Sequence, residues 1–244
     1  MVNGLYTSSA SMQILQSKLD ATSHNLANAN TTGFKKSMLV SKTNVTIGTN
    51  DESKLHQNEL QKLVEDYVSQ EQGPLITTDD PFDIAIQGQG FFEIETPNGK
   101  QYSRNGSFTV NTAGELVNLN GHKVLDDSGS SIGVNGENFQ VSNDGVVSVD
   151  GNRMGKLSLI QPNDLQDFKR IGASLFALKD GKDAPTEQSA SHLAQGMLEG
   201  SNVNVVDSMV KMILIQKQYD SSAKAVSSID ETLNKAVNEI GRVG

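Results

Sequence analysis

No glycine or proline occurs between Leu5 and Thr32, and none between Ser201 and Ile240. All five prolines (Pro74, Pro81, Pro97, Pro162 and Pro185) lie in the middle of the chain. Proline removes a helical hydrogen bond and clashes with the preceding turn, and glycine costs about 1 kcal/mol in a helix interior. The two ends can therefore be long helices, and the middle reads as something else. Hydrophobic periodicity agrees. Steps of seven from Leu5 give Met12, Leu19 and Leu26, with Ser8, Leu15, Thr22 and Ala29 as the companion column. This is a heptad seam whose second column is small or half-polar, which permits close helix packing. Towards the C-terminus Met209, Met212, Gln216, Tyr219, Ala223, Val226, Asp230, Leu233, Val237 and Ile240 alternate steps of three and four. Gln216 and Asp230 are the polar exceptions, and Val210, Ile213 and Leu214 widen the apolar face at its start. Asn204 is placed to cap this helix with Asp207 as its capping-box partner, and Gly241 suits the far end. At 1.5 Å per residue the helices span roughly 40 and 54 Å. An amphipathic helix ordinarily packs on its own domain. Two of them flanking a β-rich middle favour pairing with each other.

The middle alternates with period two in Phe82–Gln87 and again in Phe92–Glu95. Further strand candidates are 108–110, 116–119, 146–149, 157–160 and 175–178. They are punctuated by Asn98-Gly99, Asn105-Gly106, Asn120-Gly121, Asn135-Gly136, Asp144-Gly145, Asp150-Gly151 and Asp180-Gly181. Asn-Gly and Asp-Gly suit tight hairpin turns, and the close spacing points to short strands in a sandwich or barrel-like domain. Residues 34–72 stay open: Leu60, Leu63, Val64, Tyr67 and Val68 fit a helix, and the stretch also fits an extended connector.

Charge separates along the same lines. The net charge is −9. Residues 1–33 hold one Lys and one Asp, 201–244 hold five basic and five acidic residues, and the middle holds 14 basic and 23 acidic. Neutral helices can crowd against copies of themselves without like-charge repulsion, with the acidic part facing outward. A net negative chain is not built to bind nucleic acid. With no cysteine, disulfide scaffolds and Cys-based sites are excluded. No run of about 18 apolar residues could span a bilayer. The stretch Met1–Leu5 has no basic segment followed by an apolar one, so it is not an ordinary secretory signal. The expectation is a cytosolic chain or one that leaves the cell by another route.

Catalytic and ligand motifs fail one by one. His24, His56, His122 and His192 are scattered without metal-type spacing. Gly88-Gln89-Gly90 follows a strand but lacks the third glycine of a dinucleotide loop, and a bulge or turn fits better. Asp126 and Glu137 have the end-to-end spacing of an EF-hand, but Ser128, Ser130 and Ser131 occupy its ligand and glycine positions. Asp79, Asp80 and Asp83 read as a turn around Pro81 and a solvent-facing strand residue. No nucleophile elbow, P-loop or paired catalytic carboxylates emerge. The chain reads as non-enzymatic, with no cofactor and no metal.

Three stretches carry a resemblance. Leu5-Tyr6-Thr7, Leu19-Asp20 and Asn25–Lys35 (Asn-Leu-Ala-Asn-Ala-Asn-Thr-Thr-Gly-Phe-Lys) form the first. Asp83–Ile86, Gly88, Gly90–Phe92 and Tyr102–Phe108 form the second. Leu198-Glu199, Ser201–Asp207, Met209-Val210 and Met212-Ile213 form the third. Together, in this order, they resemble the flagellar rod and hook protein family. The resemblance implies an α+β multidomain fold. Long N- and C-terminal helices (1–33 and 201–244) would pair as a coiled-coil core domain, 34–72 would be a linker of uncertain structure, and 73–200 an inserted, mainly antiparallel, β-rich outer domain. It implies export through the flagellar type III apparatus and helical stacking into a hollow axial tube of the basal body, outside the cytoplasmic membrane. That tube would transmit torque. The implied partners are further copies, neighbouring rod proteins, hook protein and the surrounding rings, with no nucleic acid and no membrane span. The assembly interface would use Leu5, Met12, Leu15, Leu19, Leu26, Met209, Met212, Ile213, Tyr219, Val226 and Leu233. Asn28, Asn30, Gly33 and Phe34 would form a helix terminus and hinge, Asn30 and Gly33 being able to adopt left-handed conformations. Length favours a proximal type of rod subunit. Asn30–Lys35 and Gln216–Tyr219 look more like the distal type. A cell-wall hydrolase would need an acid–base pair or metal that is absent from the motifs, and a soluble binding or chaperone module would have ordered ends in the monomer.

Overall fold

The computed structural model describes residues 2–41, 64–161, 167–172, 174–179 and 191–240. The fold is α+β, with two helices and a mainly antiparallel set of strands among the described residues. The chain gathers into two compact units, one formed by Met1–Ala27, Ser37–Tyr67 and Asn204–Gly244, the other by Asn28–Lys36 and Val68–Val203.

The first unit is helical. Helix α1 runs Val2–Ala27 and α2 runs Val205–Ile240, and the two lie against each other. Asn204 caps α2: its side-chain oxygen accepts from the Asp207 amide at 3.1 Å and its carbonyl from Ser208 N at 3.0 Å. Asp207 does not complete a capping box. Its carboxylate instead accepts from Lys211 Nζ at 2.6 Å, one turn on. Strand β1 (Ser37–Ser41) pairs with β2 (Val64–Val68). The open stretch 34–72 thus contributes two strands, and Val64, Tyr67 and Val68 are extended, not helical. Leu60 and Leu63 lie outside the described residues, as does Gly241. Asn25 of α1 is fastened to β1 by a reciprocal pair, its amide donating to Ser37 O at 2.7 Å and its oxygen accepting from Ser37 N at 2.8 Å.

The described residues of the second unit form fifteen further strands. In chain order they are β3 (Leu75–Thr77), β4 (Ile84–Gln87), β5 (Phe91–Thr96), β6 (Gly99–Ser103), β7 (Phe108–Val110), β8 (Leu116–Asn118), β9 (Lys123–Val124) and β10 (Phe139–Val141). These are followed by β11 (Val146–Val149), β12 (Asn152–Lys156), β13 (Leu159–Ile160), β14 (Phe168–Arg170), β15 (Leu175–Leu178), β16 (His192–Gln195) and β17 (Met197–Glu199). The main sheet has the order β14-β15-β6-β5-β9-β8-β7, with β13 also on β5. Smaller sheets are β10-β11-β12, β16-β4 and β17-β3. Asp150-Gly151 forms the two-residue loop of the β11–β12 hairpin, where Val149 faces Asn152. Between β5 and β6 the loop is Pro97-Asn98 and Gly99 already belongs to the strand.

Strand β5 separates two cores. Phe92 joins Ile84, Ile86, Leu116 and Val147 on one side, while Phe91 joins Tyr102, Phe168 and Phe176 on the other. A strand covered on both faces loses the alternating pattern of a half-buried one. This explains β4, where Ile84, Ala85 and Ile86 are all buried. It also corrects the reading of Asp83, which is 8 % exposed and bridged to Ser107 instead of facing solvent. The Asp126 loop is closed by its own carboxylate, which accepts from Ser128 N and Ser130 N. This Asx turn needs no ion to hold it.

A buried anchor and an exposed helical face

The segment following α1 enters the β unit as a series of turns. Thr31 N donates to Asn28 O at 3.1 Å and Phe34 N to Thr31 O at 3.3 Å. Gly33 has φ +68°, and a Cβ added there would lie 2.3 Å from Asn105 N. Only glycine meets both demands. Asn30, also expected to be able to turn left-handed, keeps a negative φ. Phe34 is fully buried beneath the Arg170 guanidinium, 4.4 Å from its ring centroid. Gly106 is a second close approach, since a Cβ there would sit 1.7 Å from Ile84 O. That, and not a hairpin turn, is the reason for glycine in Asn105-Gly106.

Next to Phe34 lies a buried charge cluster. Glu199, with 1 % of its side chain exposed, accepts from Lys35 Nζ at 2.6 Å and from Arg104 Nε at 2.5 Å. It also accepts from Gly73 N at 2.8 Å. Lys35 Nζ donates further to Glu71 O at 2.7 Å. The Arg104 guanidinium donates to the carbonyls of Gly90, Gly88 and Ile86. The Gly88-Gln89-Gly90 bend is thus a carbonyl cradle for an arginine. Burial pulls the Lys35 ammonium below its ordinary value, and Glu199 opposes that pull. Two cations share one buried carboxylate, so the cluster holds only while all three are present; removing one partner of such a group strands the others without water. Around it, Gly33 N donates to Glu199 O at 2.7 Å, Lys36 N to the Asn202 side chain at 2.7 Å, and Thr32 Oγ1 to Asn105 Oδ1 at 3.1 Å. Three segments remote in sequence (28–36, 102–107 and 199–202) are therefore tied at one point. Sequence reading named the stretches without seeing that their charges meet. The available signal was a charge in each stretch (Lys35, Arg104 and Glu199) lying next to residues expected to be buried.

In the helical unit Leu15 is buried, and Met12, Leu19, Leu26, Met212, Tyr219 and Val226 are half-buried. The half-buried face of α2 runs Met212, Ile215, Tyr219, Ala223, Val226 and Ile229. Gln216 and Asp230, the polar exceptions of the sequence pattern, are exposed. Ile215 and Ile229, one residue earlier, lie inward in their place. Nothing is described of the side chains of Leu5 and Leu233. A groove within this unit is lined by Ser9, Met12, Gln13 and Gln16 of α1 and Tyr219, Val226 and Asp230 of α2. The first turns of α2 differ: Val205, Val206, Met209, Val210, Ile213 and Leu214 are 37–71 % exposed. Among the described residues no three His, Asp or Glu side chains gather as metal ligands, and no helix is long and apolar enough to cross a membrane.

Comparison with known proteins assigns these segments. Residues 5–35 match the family described as Flagella basal body rod protein. Residues 85–149 match Flagellar hook protein FlgE/F/G D1 domain, and 194–239 match Flagellar basal body rod FlgEFG protein C-terminal. Lys35, Arg104 and Glu199 each fall in a different one of the three. The chain is 36 % identical over 249 residues to flagellar basal-body rod protein FlgF of Caulobacter vibrioides, covering 100 % of both. It is 31 % identical over 243 residues to FlgF of Mesorhizobium japonicum, covering 99 % of both. Against flagellar basal-body rod protein FlgG of Bacillus subtilis it is 30 % identical over 266 residues, covering 98 % of this chain and 99 % of the relative. With the three family segments present in order and full-length relatives above 30 % identity, the chain belongs to the flagellar basal-body rod protein family, as a structural subunit of the rod in the flagellar basal body.

Proposed function

We propose that this chain is a proximal-rod subunit that polymerises helically into a hollow axial drive shaft, which transmits torque and passes exported subunits. The observation that carries the reading is the exposed apolar face at the start of α2, on a chain that aligns end to end with FlgF relatives. The FlgF alignments run 243–249 residues and the FlgG alignments from 258, so a proximal subunit fits this length with the fewest gaps. The alternative, a distal subunit, rests on the Asn30–Lys35 and Gln216–Tyr219 stretches.

In this reading residues 1–33 and 201–244 form the coiled-coil inner core, 73–200 the outer β domain, and 34–72 links them. Leu5, Met12, Leu15, Leu19, Leu26, Met209, Met212, Ile213, Tyr219, Val226 and Leu233 serve helix pairing and contacts between copies. The segment Asn28, Asn30, Gly33 and Phe34 is the hinge. Neighbouring rod proteins, hook protein and the surrounding rings complete the assembly, type III export delivers the chain, and no catalysis is involved. Apolar helical surface removed from water between copies supplies the driving force, at roughly 25 cal/mol per Å².

Cryo-electron microscopy of isolated basal bodies, with side-chain density matched to this sequence, tests the reading. Density for the chain in the lower axial tube is expected. Density near the hook end would make it a distal subunit, and its absence from complete basal bodies would overturn the rod assignment.

A further inference from the structure

We propose that the buried anchor of the β unit is a binding site for a small monovalent anion such as chloride, held between Lys35 and Arg104. The inference stands apart from the rod assembly proposed above. Lys35 and Arg104 bring two positive charges, and Glu199 answers them with one negative charge. Glu71, the other carboxylate that acts on Lys35, is 70 % exposed and bonded to Lys36. One positive charge is therefore left in excess, on side chains that are 4 % and 2 % exposed. A buried charge without a counter-charge is strongly unfavourable. A monovalent anion would balance this one without over-compensating it.

The hydrogen-bond inventory points the same way. A lysine ammonium has three N–H donors and a guanidinium five. Lys35 Nζ spends one on Glu199 and one on Glu71 O. Arg104 spends Nε–H on Glu199, one Nη1–H on Gly90 O and two Nη2–H on the Ile86 and Gly88 carbonyls. Among the described residues each cation keeps one N–H without a protein acceptor. Both residues line a cavity of ≈ 30 Å³, together with Ser69, Gly88, Gln89 and Gln161. A single water takes up about 10–15 Å³ of such space, so a small ion has room. Ser69 is also buried, and its hydroxyl lies 3.5 Å from Glu71 Oε2, a weak bond that an anion in the cavity would replace. Gly88 and Gln89 are exposed, which opens the cavity to solvent on their side. Burial pulls the Lys35 ammonium below its ordinary value, and Arg104 adds to that pull against Glu199. An anion beside Lys35 would offset both and keep it charged.

The test unfolds the full-length chain with urea in sodium chloride and in sodium gluconate at one ionic strength, following the β-unit transition. Gluconate is too large for the cavity. Chloride should raise the midpoint along a saturating curve. The folding equilibrium constant should gain about ten-fold at a chloride concentration ten times the dissociation constant. The NMR line of free chloride should broaden when the protein is added. Gln161→Glu changes a half-buried residue of the lining and supplies a carboxylate from the chain itself. It should remove both effects. Lys35→Met removes the excess charge and should do the same. Because it also strips Glu199 of a partner, circular dichroism must show it folded, and Gln161→Glu carries the test where it is not. Equal midpoints in the two salts, a rise that never saturates, or chloride dependence retained in Gln161→Glu would overturn the proposal and leave the cavity to water alone.

Discussion

In the β unit Phe34, Ile84, Ile86, Phe92 and Phe176 are at most 1 % exposed, whereas α2 holds six large apolar residues at 37–71 %. The β unit ends its own chemistry internally. Its strands pair, two cores flank β5, and even its surplus charge at Lys35 and Arg104 is enclosed with Glu199. The helical unit does the reverse, keeping one face for its own partner helix and leaving another in water. Isolated helices gain little from propensity and most from packing. A helix 36 residues long with an apolar stripe left over is therefore incomplete alone, while the β unit is a finished fold. A polymer subunit needs that division, one part whose stability is independent of neighbours and one whose stability comes from them.

The largest test separates the two. Leu26→Asp or Ile213→Asp forces a carboxylate into an apolar contact at about 2–7 kcal/mol. Rod assembly and motility should be lost while the β unit keeps its denaturation midpoint. Normal swimming in either variant would break the comparison. The converse is Glu199→Gln, which leaves Lys35 and Arg104 sharing an uncharged partner. The β unit should lose about 3–5 kcal/mol, read by urea denaturation. Replacing all three together (Lys35→Met, Arg104→Met, Glu199→Leu) should recover part of that, because no buried charge is left unpaired, while Gly73 N and the carbonyls of Gly88 and Gly90 lose the partners the cluster gave them. A Glu199→Gln protein of unchanged stability would mean the cluster is not an anchor.

Gly33→Ala comes next. The left-handed backbone costs about 1 kcal/mol for alanine, and the added Cβ would be 2.3 Å from Asn105 N, so the chain must move. A loss of about 2–4 kcal/mol is expected from strain and contact together. Hydrogen exchange should show it first at Gly33 and Lys36, whose amides are bonded to Glu199 and Asn202. Uniform loss of protection across the β unit would place the strain elsewhere.

The Gly- and Pro-free ends announce both helices because helix breaking is a local property. Strands β5, β7, β11 and β15 are legible for the same reason: period and turn residues are local too. Harder to read are features set by what covers a residue. Asp83 looks solvent-facing by alternation, but a second element covers its face. The inward face of α2 keeps Met212, Tyr219, Ala223 and Val226 of the apolar pattern but takes Ile215 and Ile229 in place of Gln216 and Asp230, since Ile215 and Gln216 both fit a step of three or four and only the presence of α1 decides between them. The charge cluster is the extreme case. Lys35 and Arg104 reach Glu199 across 164 and 95 residues, and no period connects them. The motifs could be recognised as three stretches, but their convergence on one carboxylate is a tertiary fact.

The smallest effect concerns a charge group at the surface of the β unit, and it sharpens the contrast with the buried one. Glu115 is partly exposed. Hydrogen bonds from Lys123 Nζ, Asn111 and Ser131 hold its carboxyl down at about 2, against a slight opposing desolvation. A depressed carboxylate binds fewer protons folded than unfolded, so its contribution is fully present above about pH 4.5 and is lost as pH falls towards 2. Glu115→Gln should remove a contribution that is fully present at pH 7 and gone near pH 2. The two proteins should therefore differ most at pH 7 and converge as pH falls. The difference should be small because an exposed pair is screened by water and salt. Unfolding midpoints at pH 7, 4.5 and 2.5 measure it. At high salt the difference between the two proteins should shrink further, whereas the Glu199→Gln loss should persist. An acid profile unaltered by Glu115→Gln would put the acid sensitivity of the β unit on other carboxylates.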